Sequence, residues 1–156
     1  MNHVVFVCTG NQCRSPMAEG ILKARWAAMG RSDLFVSSSG IHARENQPAA
    51  RSAQEICAEN GVDISRHQSR PVNPRELEAS DLIFVMEPVQ KNFLKLFFPE
   101  LEDKVYLLGS WPEADSRKGT IPDPIGGAEK DYRRVYGLIA GHIDRIMPQL
   151  KERFRA

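Results

Sequence analysis

Two residues with complementary chemistry lie six positions apart near the start of the chain, the thiol of Cys8 and the guanidinium of Arg14. The apolar residues 4–7 precede Cys8, and Gly10 follows it in a short polar run, a pattern typical of a strand that enters a turn. Ser15 then opens a helical pattern as its N-cap. The pattern therefore predicts a cysteine and an arginine on one strand–turn–helix unit.

Such a unit is suited to bind an anion and to activate a thiol. The N-terminus of a helix exposes unpaired backbone N–H groups and carries a partial positive charge. Arg14 adds a planar, permanently charged group that pairs with two phosphate oxygens at once. The same positive field stabilises a thiolate, the nucleophilic form of Cys8. This spacing therefore favours phosphoryl transfer, with an inert buried cysteine in a tight turn as the alternative.

The composition limits the classes of protein to which the chain can belong. It has 156 residues and a net charge of +1 with both signs mixed, which argues against a general nucleic-acid binder. It has no apolar run of about 18 residues for a membrane span, and it begins with a strand pattern instead of a leader peptide. Three cysteines, an odd number, suit a reducing compartment. We expect one domain, residues 1–156, in the cytoplasm, without a nucleic-acid or membrane partner.

Short apolar runs alternate with helical patterns along the chain. Strands are predicted at residues 4–7, 34–36, 81–86 and 105–108, and helices at residues 15–29, 48–60, 88–98 and 131–154. Buried strands that alternate with helices predict a three-layer α/β/α fold, with a parallel four-stranded sheet covered on both faces. In such folds the ligand site lies at the carboxyl ends of the strands, where Cys8 falls.

Several motifs of the chain occur together in one known family. Residues 5–19 read Val-Phe-Val-Cys-Thr-Gly-Asn-Gln-Cys-Arg-Ser-Pro-Met-Ala-Glu, and four shorter motifs follow, Ser38-Ser39-Gly40, His67-Gln68-Ser69-Arg70, Leu107-Leu108-Gly109-Ser110 and Asp123-Pro124. In this order they resemble the low-molecular-weight protein tyrosine phosphatases, in their bacterial form, over almost the whole chain. The resemblance implies strand order 2-1-3-4 and a phosphate-binding loop after the first strand.

The resemblance also implies a reaction through a phosphocysteine intermediate. Cys8 attacks phosphorus, Ser15 donates to the Cys8 sulfur, and Asp123 protonates the leaving oxygen and then activates water. Pro124 biases Asp123 toward extended backbone, which helps to fix the direction of the carboxyl group. The expected phosphate-binding residues are Thr9, Gly10, Asn11, Gln12, Cys13, Arg14 and Ser15. No cofactor is expected, and the expected partners are a phosphorylated protein and inorganic phosphate or another oxyanion.

Three further residues match positions that support the phosphate loop in this family, Asn11, Ser39 and His67. There the loop asparagine is held in a left-handed conformation by such partners, and asparagine tolerates that region better than most residues. We expect the same for Asn11. The other three histidines are interpreted as incidental.

Cys13 is expected to act as a redox partner of Cys8. A thiol beside a reactive thiolate can trap its sulfenic acid as a disulfide, and the resemblance implies this reversible switch. A metal site at Cys8 and Cys13 is not expected, because no second ligand pair follows at a suitable spacing. Cys57 falls on the apolar face of a predicted helix and is interpreted as a buried core residue.

The expected substrate rim departs from the tyrosine-phosphatase pattern. Where eukaryotic members place two aromatic residues after the Asp-Pro pair, this chain has Ile125 and Gly126, which resembles bacterial protein arginine phosphatases. Those enzymes have threonine at the position of Gln12, and tyrosine-specific members tend to have an apolar residue there. Trp111 is a candidate for part of the missing wall, with packing in the core as the alternative.

Four interpretations of the function follow from these residues. The first is a protein-tyrosine phosphatase, and the second is a phosphoarginine phosphatase. The third, a thiol-dependent arsenate reductase, would carry two resolving cysteines near residues 80–90, and this stretch has none. The fourth, a non-catalytic anion-binding module, would lack Cys8, Arg14 or Asp123, and all three are present. The sequence does not indicate the physiological substrate, the oligomeric state or the kinase partner.

Overall fold

A parallel four-stranded sheet forms the centre of the protein, whose structure, a computed structural model, describes residues 1–155. The strands are, in chain order, β1 (Asn2–Cys8), β2 (Leu34–Gly40), β3 (Leu82–Val85) and β4 (Val105–Leu107). They lie side by side in the order β2-β1-β3-β4, and every neighbouring pair is parallel. The predicted strand order is confirmed. The strand predicted at residues 34–36 extends four residues further.

Five helices and two short 3₁₀ turns connect the strands. The α-helices are α1 (Arg14–Ala28), α2 (Arg51–Glu59), α3 (Pro74–Ala79), α4 (Pro88–Phe97) and α5 (Glu129–Arg153), and the 3₁₀ turns span Pro99–Lys104 and Arg117–Gly119. None of the helices formed by residues 1–155 combines the length and the apolar character that crossing a membrane requires.

Three helix predictions need correction. Helix α1 begins at Arg14 with Cys13 at its N-cap position, so Ser15 lies inside the first turn and is not the cap. Helix α2 begins three residues later than predicted, at Arg51. Helix α3 has no counterpart in the prediction, although Asn73 caps it through Oδ1 and Pro74 follows at the first helical position, which is a recognisable start signal.

The helices cover the two faces of the sheet, which confirms the three-layer prediction. Alternate side chains of β1 point to opposite faces, as strand geometry requires. Phe6 faces the core formed with α1, α2 and α5. Val7 faces a smaller core that contains Leu77 of α3 and Leu94 of α4. Residues 4–7 of β1 and all of β3 are continuous apolar runs, because these central strands are covered on both faces, whereas β2 ends in Ser37-Ser38-Ser39-Gly40 beside the loop that follows β1.

Candidate active site

The loop between β1 and α1 wraps around the sulfur of Cys8. Cys8 is the last residue of β1, and its side chain is buried. The backbone N–H of Asn11 donates to Cys8 Sγ at 3.2 Å, and Ser15 Oγ lies 2.9 Å from the same sulfur. When the cysteine is a thiolate, both groups donate to it. The loop thus stabilises a negative charge on sulfur by two short contacts.

Asn11 gives this loop its shape. Its φ angle of 55° lies in the left-handed region, as expected. The Nδ2 group donates to Ser15 Oγ at 2.8 Å and to Ser38 Oγ at 3.0 Å. The backbone N–H of Arg70 donates to Asn11 Oδ1 at 3.0 Å, and His67 Nε2 lies 2.6 Å from the Asn11 carbonyl oxygen. Every polar group of the Asn11 side chain is therefore engaged, which offsets the cost of its strained backbone.

One of these contacts corrects the sequence analysis. The hydroxyl that contacts Asn11 belongs to Ser38, not to Ser39. Ser39 is fully buried, and its Oγ has no hydrogen-bond partner among the described residues, while its carbonyl oxygen lies 3.4 Å from Ser15 Oγ. Successive side chains of a strand point to opposite faces, so the step from Ser39 to Ser38 also changes the face on which the hydroxyl lies.

Gly40 allows the phosphate loop to approach β2 closely. A Cβ atom at this position would lie 2.6 Å from the Thr9 carbonyl oxygen and 2.9 Å from the Asn11 nitrogen. Both neighbours are backbone atoms of the loop, so neither can move without changing the loop. This explains why glycine follows Ser38-Ser39.

Arg14 lies buried beside the loop, with 2% of its surface exposed. Its Nη1 donates to Glu87 Oε1 at 2.7 Å and to the Ile121 carbonyl oxygen at 3.0 Å. These contacts occupy Nη1 and leave the N–H groups of Nη2 and Nε for an anion in the loop. A buried guanidinium requires such a partner, because an unpaired charge loses its hydration without compensation.

The N-terminus of α4 is a part of the site that the sequence analysis missed. Glu87 caps this helix and holds Arg14, while Gln90 Nε2 donates to Thr9 Oγ1 at 3.1 Å and to Glu87 Oε1 at 3.2 Å. Gln90 Oε1 accepts from the backbone N–H groups of Met86 and Glu87. Glu87 and Gln90 form a capping box. An acidic residue followed by proline, with glutamine three residues after the acid, is a sequence signal that could have located this helix start.

Asp123 approaches the site from the loop before α5. Its Oδ2 lies 3.5 Å from Arg14 Nη2, and its Oδ1 accepts from the backbone N–H of Ile125 at 3.0 Å. The side chain is 41% exposed, so the carboxyl group can reach both bulk water and a bound anion. The structure thus brings Asp123, from a distant segment of the chain, to the unit that carries Cys8 and Arg14 at the carboxyl end of β1.

The candidate rim residues do not all lie together. Ile125 is 54% exposed and Gly126 has a φ angle of 80°, both in the loop that carries Asp123. Gln12 directs its Nε2 to the Pro48 carbonyl oxygen at 3.4 Å. Trp111 is buried instead, with its ring edge-on to Phe84 at a centroid distance of 5.4 Å. The prediction of Trp111 as a wall of the substrate pocket is therefore wrong, and its alternative, packing in the core, is correct.

All three cysteines are free thiols, and two are poor nucleophiles. Burial raises the pKa of Cys13 to about 12, and its Sγ lies 3.9 Å from Tyr132 Oη. Burial likewise raises the pKa of Cys57 in α2 to about 12. Residues 1–155 contain no group of three or more His, Cys, Asp or Glu side chains that could hold a metal ion.

Comparison with known proteins shows the family to which the chain belongs. The chain is 32% identical over 138 residues to the low molecular weight protein-tyrosine-phosphatase Etp of Escherichia coli K12. The aligned residues cover 88% of this chain and 87% of the relative. It is 31% identical over 149 residues to the protein-arginine-phosphatase of Bacillus subtilis strain 168, covering 96% and 97%.

Solved structures agree with this comparison. The crystal structure of a low molecular weight protein tyrosine phosphatase from T. tengcongensis has a TM-score of 0.88 and 35% identity, over 96% of this chain and 99% of that one. A cysteine-to-serine mutant of the YwlE arginine phosphatase, with a phosphorylated active-site serine, has a TM-score of 0.89 and 29% identity, over 98% of each chain. The model of the low molecular weight phosphotyrosine protein phosphatase family matches residues 3–156. The chain therefore belongs to this family and is a phosphatase that acts on phosphorylated protein.

Proposed function

We propose that this protein hydrolyses phosphotyrosine in proteins through a phosphocysteine intermediate. One observation carries the proposal: the loop that holds the Cys8 sulfur leads directly into the buried Arg14, whose guanidinium lies 3.5 Å from the carboxyl group of Asp123. A nucleophile, an anion clamp and a proton donor are thus gathered around one point. The decisive measurement is kcat/KM for phosphotyrosyl and phosphoarginyl peptides of the same sequence.

In the first step the phosphate of the substrate occupies the loop of residues 9–15. The loop N–H groups and the free N–H groups of Arg14 hold its equatorial oxygens. The thiolate of Cys8 forms a bond to phosphorus while the bond to the phenolic oxygen breaks, and the protonated carboxyl of Asp123 transfers its proton to that oxygen. The products are a phosphocysteine and the free tyrosine side chain.

In the second step water releases the phosphate. The Asp123 carboxylate takes a proton from water as the water oxygen attacks phosphorus, and the P–S bond breaks to regenerate the Cys8 thiolate. The Ser15 hydroxyl, 2.9 Å from the sulfur, and the Asn11 N–H, 3.2 Å from it, stabilise the departing thiolate. Both groups thus assist the leaving group of this step.

Phosphoarginine is the second candidate substrate, and one observation favours it. The loop after Asp123 offers Ile125 and Gly126 where an aromatic wall would stack on a tyrosine ring. The similarity to the protein-arginine-phosphatase of Bacillus subtilis extends over nearly the whole of both chains. In this alternative the Cys8 thiolate again forms a bond to phosphorus, the P–N bond breaks, and the proton of Asp123 goes to the departing nitrogen of the arginine side chain.

The substrate rim gives a direct test of this choice. Ile125→Tyr should lower KM for a phosphotyrosyl peptide by about two- to twelvefold with little change in kcat, because an aromatic pair contributes roughly 0.5–1.5 kcal/mol to uniform binding. Gly126 is left unchanged, because its φ of 80° strains any other residue. Gln12→Thr should raise the activity on phosphoarginine relative to phosphotyrosine.

A matched control is Leu96→Tyr, which places the same ring on an exposed position of α4. It should leave the ratio of the two kcat/KM values unchanged. If Ile125→Tyr and Gln12→Thr also leave that ratio unchanged, substrate choice is determined outside these two loops.

We further propose that oxidation switches the enzyme off reversibly. Peroxide converts the Cys8 thiolate to a sulfenic acid, and the Cys13 thiol then forms a disulfide with loss of water. Cys13→Ser should therefore turn a peroxide inactivation that dithiol reverses into one that is largely irreversible. Full recovery of the mutant enzyme after dithiol would show that Cys13 does not protect Cys8.

The pH dependence of this protection follows from the burial of Cys13. The attacking species is the thiolate, and a pKa of about 12 leaves Cys13 protonated at neutral pH. The thiolate fraction, and with it the rate of disulfide closure, should increase by about tenfold for each pH unit between pH 7 and pH 9. Mass spectrometry after a timed peroxide pulse measures this rate.

The three free thiols also support a cytoplasmic location, which we propose for this protein.

A further inference from the structure

Residues 67–70 support two different loops at the mouth of the site. The first is the phosphate loop, which they hold through Asn11. His67 Nε2 lies 2.6 Å from the Asn11 carbonyl oxygen, and the backbone N–H of Arg70 donates to Asn11 Oδ1 at 3.0 Å. These contacts maintain the left-handed backbone that directs the Asn11 N–H at the Cys8 sulfur.

The second is a loop of residues 42–50, here named the wall loop, which is held by Ser69. The backbone N–H of Ser69 donates to the Gln47 carbonyl oxygen at 2.8 Å, and the Ser69 carbonyl oxygen accepts from the Asn46 N–H at 2.7 Å. Ser69 Oγ accepts from the Gln47 N–H at 3.0 Å and donates to the Arg44 carbonyl oxygen. Ser69 is 1% exposed, so its hydroxyl is shielded from solvent, and both of its hydrogen bonds are made to the wall loop.

The wall loop stands beside the phosphate site because both of its ends are attached to the phosphate loop. The His42 N–H donates to the Thr9 carbonyl oxygen at 2.9 Å, and the Ala50 N–H donates to the Gln12 carbonyl oxygen at 2.8 Å. Residues 44–48 between these anchors are all exposed. The wall loop is therefore an exposed segment that a polypeptide can contact when its phosphate occupies residues 9–15.

The conformation of the wall loop is imposed on it from outside. Asn46 has a φ angle of 61°, a backbone conformation that residues other than glycine adopt only at a cost in free energy. Asn46 is exposed, and its backbone N–H is bound by Ser69. Loss of the Ser69 hydroxyl would remove two of the four hydrogen bonds between Ser69 and the wall loop and let the loop adopt other conformations.

We propose that Ser69 is a positioning residue for the substrate polypeptide, and that residues 67–70 separate this task from phosphoryl transfer. Ser69 preforms the wall loop, so that a peptide binds without having to order it. His67 and Arg70 act on the reaction through Asn11. This inference rests on the proposed function. It adds to that function a residue, Ser69, that affects the binding of the peptide but not the phosphoryl transfer.

The test compares Ser69→Ala with His67→Ala on a phosphotyrosyl peptide and on p-nitrophenyl phosphate, which has no flanking chain. Ser69→Ala should raise KM for the peptide by about three- to tenfold, because binding must then also order the wall loop. Its kcat on both substrates should stay within about twofold of the wild-type value, since Asn11 keeps its partners. His67→Ala should instead lower kcat on both substrates.

Ser80→Ala is the matched control, because Ser80 is also buried and its Oγ donates to the Leu77 carbonyl oxygen at 2.7 Å, just before the amino end of β3 and away from the phosphate loop. It should leave both KM values unchanged while it lowers the melting temperature. If Ser69→Ala does not fold, a second pair of variants, at Asn46, tests the wall loop instead. The exposed Asn46→Val strains the left-handed position and should raise KM for the peptide in the same way, and Asn46→Gly should not.

Three results would overturn the inference. One is that Ser69→Ala lowers melting temperature like Ser80→Ala and leaves the peptide KM unchanged. Another is that Ser69→Ala lowers kcat on both substrates, as His67→Ala does. The third is an Asn46→Val variant with wild-type KM for the peptide. If the wild-type protein hydrolyses neither a phosphotyrosyl nor a phosphoarginyl peptide, the proposed function fails, and the inference fails with it.

Discussion

Replacing Cys8 with serine should reduce phosphatase turnover by at least about a thousandfold, the scale on which an activated nucleophile contributes. A serine hydroxyl remains protonated near neutral pH, and the two contacts that stabilise the sulfur anion do not compensate for this. Steady-state hydrolysis of p-nitrophenyl phosphate measures the loss. Since the loop N–H groups and Arg14 are unchanged, the Cys8→Ser protein should still bind vanadate or phosphate, which calorimetry detects.

A matched control is Cys57→Ala, which removes another buried thiol far along the chain in α2. It should retain wild-type kcat even where it lowers the melting temperature. Mass spectrometry adds a second measurement, because a phosphoryl group trapped on the Cys8→Ser protein would show that the side chain at this position receives phosphorus. Residual activity of Cys8→Ser above about a thousandth of the wild-type value would count against the phosphocysteine route.

Replacing Asp123 with asparagine should slow hydrolysis of substrates with poor leaving groups by about a hundred- to a thousandfold, the usual contribution of general acid catalysis. The asparagine keeps an oxygen for the Ile125 N–H, so the loop should hold its shape, and the variant isolates the loss of the proton. Phenyl phosphate and phosphotyrosine have poor leaving groups. p-Nitrophenyl phosphate should be affected much less, because its leaving group needs little protonation.

The control for this prediction is Asp144→Asn, which removes a carboxylate that pairs with Arg25 on the surface of α5. It should leave both rates unchanged. An equal loss on good and poor leaving groups in Asp123→Asn would assign the proton donor elsewhere. In that case the 3.5 Å contact between Asp123 and Arg14 would serve to orient the guanidinium instead.

The local parts of the site could be predicted because short segments encode them. The strand before Cys8, the turn and the helix that follows occupy a single run, so their geometry depends on neighbours in sequence. The same holds for the alternation of strands and helices, which leaves few topologies for a parallel sheet with right-handed crossovers. The errors at helix ends are at most three residues, within the range over which the end of a helix is hard to define.

The incorrect predictions concern side chains whose partners lie far away in sequence. The choice between Ser38 and Ser39 depends on which face of β2 meets Asn11, which the position of β2 beside β1 decides. Trp111 is an aromatic residue that could line a pocket or fill a core, and only the position of Phe84 shows that it fills the core. Helix α3 was missed because six residues carry too little periodicity, despite the cap at its start.

The sequence by itself indicated phosphoryl transfer, since the spacing of Cys8 and Arg14 on one strand–turn–helix unit favours an anion site with a nucleophile, and the resemblance to a known family adds Asp123 as the expected proton donor. The tertiary structure alone decided how that chemistry is held in place. Glu87 reaches Arg14 across 73 positions of the chain, and residues 67–70 reach back to Asn11. Such contacts depend on packing and on strand register, which bring together segments that are far apart in the sequence and share no local pattern.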